Sequence, residues 1–194
     1  MKTIALTALA AAAGLATASP VLSTSLTDYT LSNAGTATGS MTIDISGFNT
    51  WDEQGNPINE ILSVFVGVGA EITAIGWDVN LTSAGASWAN EATLFFEGQI
   101  FLTPGTDGAP VTNMNYSSGG LVDLTDAGVP NITLSADGVL DIEFFDSFVD
   151  NPGAIDNTFE AGSVITIAGT GFVPTPGSLA VLGLGGLVAG RRRR

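Results

Sequence analysis

The sequence predicts an all-β protein, an antiparallel β-sandwich of jelly-roll type, flanked by one helix at each terminus. Three observations predict it. Across residues 19–172, short runs rich in β-branched and aromatic residues are separated by Gly, Asn, Asp, Ser and Pro, the punctuation of strands and turns. Several runs alternate apolar and polar residues with period two, as an antiparallel sheet with one wet face requires. No long segment of 3.6-residue period occurs between the two apolar terminal stretches, Ile4 to Ala16 and Ser178 to Gly190.

The N-terminal element comes first. Lys2 gives a positive start, Ile4 to Ala16 is apolar, and Ala16-Thr17-Ala18 offers small residues for cleavage. That is the layout of a secretory signal peptide over residues 1–18, with Ser19 opening the mature chain. Residues 19–172 then make one domain of ordinary size, large enough to bury a core without cross-links. The chain has no cysteine, so it has no disulfide, thiol nucleophile or thiolate metal site.

Nine strands are expected along the domain: Ser25 to Leu31, Ser40 to Gly47, Ile61 to Val68, Glu71 to Thr82, Ala92 to Leu102, Gly120 to Leu124, Asn131 to Leu134, Val139 to Phe148 and Ser163 to Gly169. In the fourth, Ile75, Trp77, Val79 and Leu81 share one face, opposite Ala74, Gly76, Asp78 and Asn80. In the eighth, Leu140, Ile142 and Phe144 oppose Asp141 and Glu143. Asp107-Gly108 and Asp137-Gly138 signal turns, the latter a hairpin candidate.

The last element has three parts in fixed order. Pro174, Thr175 and Pro176, followed by Gly177, end the folded part, because proline can neither continue a strand nor enter a helix interior. Ser178 to Gly190 is uncharged. As a helix it would span roughly 20 Å, short against a hydrocarbon layer of roughly 30 Å. Arg191, Arg192, Arg193 and Arg194 follow and would hold the cytoplasmic side of a membrane. This layout over residues 173–194 resembles the PEP-CTERM sorting signal of exported bacterial proteins, with Thr175 where that family usually has Glu. The runs Gly76 to Thr82 and Leu140 to Asp150 also look like PEP-CTERM passenger domains. The resemblance implies an envelope-sorted or released protein of an exopolysaccharide-producing bacterium. It also implies processing by an exosortase-like membrane enzyme, and a membrane segment that serves until processing.

Charge narrows the function. All 19 Asp and Glu lie between Asp28 and Glu160, whereas the five Lys and Arg are Lys2 and Arg191 to Arg194, and histidine is absent. The expected mature domain therefore has no base and cannot form an internal salt bridge. Its self-repulsion is relieved only by salt or bound cations, and nucleic acid is excluded as a partner. Without His, Cys, Lys or Arg, the usual acid–base, nucleophilic and phosphate-binding equipment is missing as well. The expectation is a protein that is not an enzyme.

Three sites are nonetheless conceivable. Asp146, Asp150, Asn151, Asp156, Asn157 and Glu160 crowd one stretch around Gly153, and hard cations take six to eight oxygens of this kind. They are the candidate ligands of a structural calcium ion, although Pro152 rules out an EF-hand spacing. Trp51 and Trp88, each beside amides and acids, are candidate stacking platforms for a sugar ring, or else caps on the ends of the sandwich. Asp141 and Glu143, roughly 7 Å apart on one strand, are the carboxylate pair that a glycoside hydrolase would need, or simply a wet strand face. The expected function is a non-enzymatic surface or extracellular-matrix protein, stabilised by calcium and associated with exopolysaccharide. The alternatives are a carbohydrate-binding module and, behind it, a carboxylate-pair hydrolase.

Overall fold

The computed structural model describes residues 25–31 and 37–173. The expected signal peptide, both terminal helices and the sorting residues Pro174 to Gly177 and Arg191 to Arg194 lie outside the described residues. Among those described, the strands in chain order are β1 (Ser25–Leu31), β2 (Ala37–Asp44), β3 (Asn49–Thr50), β4 (Glu60–Phe65) and β5 (Glu71–Ser83). A 3-10 turn (Ala89–Glu91) leads into β6 (Ala92–Phe96), β7 (Ile100–Leu102), β8 (Met114–Ser117), β9 (Val122–Asp123) and β10 (Ile132–Thr133). β11 (Val139–Asp146), β12 (Asn157–Phe159) and β13 (Val164–Thr170) complete the set.

These strands make two antiparallel sheets. β5, with 13 residues, is the axis of the larger one, and its Ile, Val, Thr and Trp content suits a long pleated strand. On one side it pairs with β13 and β12, which pair in turn with β2 and β3, and β1 lies against β2. On its other side β10, β9 and β8 follow one another along its length. The smaller sheet has the order β4-β11-β6-β7.

One hydrophobic core joins the sheets into a β-sandwich. Met41, Ile43, Val79, Leu81, Ile165 and Ile167 from the larger sheet meet Leu62, Leu94, Phe96, Leu140, Ile142 and Phe144 from the smaller, all buried. Phe144 stacks on Phe48 at 4.5 Å between ring centroids and meets Phe159 of β12 edge-on at 5.5 Å. β11 alternates as its sequence predicts, with Leu140, Ile142 and Phe144 inward and Asp141 on the wet face. β5 departs from strict alternation. Its register slips against Ala168 and Gly169, so Ile72 and Ile75, three residues apart, are both buried, as a β-bulge permits.

The remaining differences from expectation lie at turns. The single strand expected from Ala92 to Leu102 is a hairpin, β6 and β7, turning at Glu97 and Gly98 with φ of 50° and 64°. The backbone of Glu97 is held there from outside: its N–H donates to the Asp141 carbonyl at 2.8 Å. Its carboxylate accepts from the Asp141 N–H at 3.0 Å. Asp137-Gly138 does turn the chain, but it links β10 of one sheet to β11 of the other instead of closing a hairpin. β3, β8 and β12 fall in segments read as loops, since two to four residues are too few to show a period.

Candidate functional site

At one corner of the sandwich, β3, the start of β12 and the end of β11 converge. The inward alternation of β11 continues past Phe144 to Asp146, which places this acid on the core side at 0 % exposure. Two residues on, the Phe148 N–H donates to its Oδ1 at 3.1 Å, the local turn that Asp favours. Its Oδ2 accepts from Thr50 Oγ1 at 3.2 Å and from Asn157 Nδ2 at 2.9 Å. Thr50 also accepts from the Asn157 N–H at 3.0 Å, so one hydroxyl serves two strands.

Asp156 lies beside this group, also at 0 % exposure. Its main chain is fixed on both sides, donating to the Thr50 carbonyl at 2.9 Å and accepting from the Ala84 N–H at 2.7 Å. Its Oδ1 accepts from Ser87 Oγ at 2.8 Å and Asn151 Nδ2 at 3.3 Å. Its Oδ2 is buried and has no hydrogen-bond partner. Such an atom loses its hydration without replacement, which costs several kcal/mol if the group is ionised.

The electrostatics sharpen the problem. Burial pushes the Asp146 carboxyl up to about 6, and the nearby charge of Asp156 adds to the rise against the hydrogen bonds from Phe148, Asn157 and Thr50. No Lys, Arg or His occurs among the described residues to offset the pair. A hard cation would do so, with Asp156 Oδ2 as a buried carboxylate oxygen that has no other partner. The amides of Asn151 and Asn157 turn their Nδ2 groups to the two acids. Among the described residues, no three acidic, His or Cys side chains form a ready metal cluster. The other ligands would therefore be carbonyls, water, or amides turned away from their present hydrogen bonds.

Four of the six expected ligands thus meet here: Asp146, Asn151, Asp156 and Asn157. Asp150 is half-buried next to Asn151, while Glu160 follows β12, where its N–H bonds to the Asn80 carbonyl. Neither carboxylate enters the hydrogen-bonded cluster. Sequence reading missed Thr50 and Ser87. Thr50 sits in a two-residue strand without periodic signal, whereas the inward parity of Asp146 was there to be read.

The carboxylate pair Asp141 and Glu143 shares the open outer face of the smaller sheet. Asp141 accepts from Ser63 Oγ at 2.5 Å. Glu143 Oε1 accepts from the Gly55 N–H at 2.6 Å and Asn59 Nδ2 at 2.8 Å, which fastens the loop after β3 to the sheet. The two acids stand side by side along β11 and do not face each other across a cleft. Trp51 is half-buried with its indole N–H on Glu60 at 3.1 Å. Trp88 is 45 % exposed, with the Gly108 backbone close to its ring.

No protein family's sequence profile matches the chain, and no curated protein matches it. A solved structure of infectious bursal disease virus, Gx strain, aligns with it at 17 % identity and a TM-score of 0.28. The alignment covers 74 % of this chain and 42 % of the viral one, so the chain spans under half the length of the protein it aligns with. At that score the likeness carries no argument.

Proposed function

We propose that this chain is an exported, non-enzymatic surface or extracellular-matrix protein of the bacterial envelope whose acidic β-sandwich is stabilised by calcium. In this reading residues 1–18 direct export, and the PEP-CTERM-like segment 173–194 sorts the chain through an exosortase-like enzyme. A jelly-roll winding and short terminal helices belong to the same proposal. The observation that carries the calcium assignment is the buried, unpartnered Oδ2 of Asp156 next to a second buried carboxylate. A cation there would neutralise the corner that ties β3, β11 and β12 together. Association with extracellular polysaccharide follows from the resemblance of the tail.

Two measurements test this. Thermal melting of the full-length protein in calcium and in chelator should show a higher Tm with calcium. One site saturated at about 100 times its Kd contributes about 2.7 kcal/mol, several degrees for a domain of this size. Equal melting under both conditions would rule calcium out. Intact-mass measurement on protein from its native envelope should show cleavage near Pro174 to Gly177, and a retained Arg194 would contradict processing.

A further inference from the structure

We infer that the outer face of the smaller sheet carries a binding cleft for uncharged saccharide, centred on Phe101 and separate from both tryptophans. The cleft is open to solvent, measures about 480 Å³, and has Glu53, Gln54, Thr93, Phe101, Thr103, Phe145 and, at its edge, Asp146 in its lining. Its apolar part is a built platform. Phe95 and Phe101 are cross-strand partners on β6 and β7 and stack at 4.2 Å with their planes 12° apart. Phe101 meets Phe145 edge-on at 5.8 Å. Phe145, although on the outward side of β11, is only 6 % exposed, whereas Phe101 is 55 % exposed. One ring is therefore backed by two others and presented to solvent.

Facing this platform is a polar wall on a loop whose main chain is anchored in advance of any ligand. Glu53 and Gln54 sit on the loop that Glu143 fastens through Gly55 and Asn59. Asn59 Nδ2 donates to the Glu53 carbonyl at 2.8 Å, and the Asp146 N–H donates to the Asp52 carbonyl at 3.0 Å. Thr93 and Thr103 join their hydroxyls at 3.0 Å on the sheet side. A loop ordered beforehand spares the entropy of closing around a ligand.

The chemistry selects the ligand. An apolar ring face needs a partner with a flat apolar side, and the exposed carboxylate of Glu53 and amide of Gln54 need a partner rich in both donors and acceptors. A pyranose ring presents both at once. With Glu53 in the wall and no base among the described residues, uronates, sulfated sugars and phosphates are repelled. A polycation would be drawn to any acidic face, so its binding would follow salt and not this one ring.

The test is calorimetric titration of the full-length protein with three probes: a panel of neutral hexose oligosaccharides, a chitosan oligosaccharide and an oligouronate. Binding of a neutral oligosaccharide, little changed by salt, is expected, with Phe101→Ala weakening it by about tenfold or more. Phe101→Tyr should retain it, and Gln54→Ala should weaken it without altering the melting temperature. Three outcomes would overturn the inference: silence across the neutral panel, salt-sensitive binding of the chitosan probe alone, or equal affinity in Phe101→Ala folded to the same Tm.

Discussion

Asn157 of β12 donates its side-chain amide to Asp146 of β11 across 2.9 Å, a polar link between strands of different sheets, beside the one that Thr50 of β3 makes to the same carboxylate. The same amide group accepts from Ser83 Oγ at 2.8 Å through its own Oδ1. Replacing Asn157 with Ala removes a donor from a buried carboxylate that has no base nearby. The expected loss is about 2–3 kcal/mol, read as a lower midpoint in urea unfolding. A change under about 0.5 kcal/mol would mean that water fills the gap.

Asp156→Asn separates the two roles of the buried acid pair. In chelator, removing one of two adjacent buried charges should leave stability unchanged or raise it. In calcium, the variant should lose the metal-dependent gain in Tm that the parent shows. A variant that still responds to calcium like the parent would move the ion elsewhere.

Alkaline pH offers a second handle. Burial, with the hydrogen bond to Asp107 at 2.6 Å, pushes the Tyr116 hydroxyl up to about 12. In the unfolded chain the phenol ionises near 10, so between these values the unfolded state releases a proton that the folded state keeps. The stability it contributes is complete below about 10 and is lost as pH rises through about 12. Unfolding followed from pH 9 to 12 should show this decline, and Tyr116→Phe should flatten it.

The core supplies the largest single effect. Phe144 is fully buried and touches both Phe48 and Phe159, so truncation empties the contact between the sheets. Phe144→Ala should cost about 3–5 kcal/mol, measured by chemical denaturation. A loss near 1 kcal/mol would require the sheets to close over the cavity.

Gly138 tests the link between sheets. Its φ is +70°, and a Cβ would stand 2.5 Å from the Gly67 carbonyl carbon and the Val68 nitrogen, which are backbone atoms with little freedom to retreat. Gly138→Ala should destabilise by at least about 2 kcal/mol. Wild-type stability in this variant would show that the two chain segments can separate.

The sequence by itself determined the class of fold, because alternation is local: Leu140, Ile142 and Phe144 bury one side of β11 wherever that strand is placed. It also determined that the described residues are acidic and carry no Lys, Arg, His or Cys, since these are matters of counting. Tertiary structure alone decided what the acids meet. Asp146 and Asp156 share one stretch of chain, but Thr50 and Ser87 come from distant segments, and no local pattern records that these would close around a carboxylate oxygen without a partner. Tertiary structure also set how far each aromatic ring is exposed: Trp51 is half-buried, while Trp88 and Phe101 are 45 % and 55 % exposed. Trp51 is tethered by Glu60, whereas Phe101 lies on the last strand of its sheet with Phe95 behind it. Periodicity is written in neighbours along the chain, but a site depends on contacts that form only when distant segments close on one another.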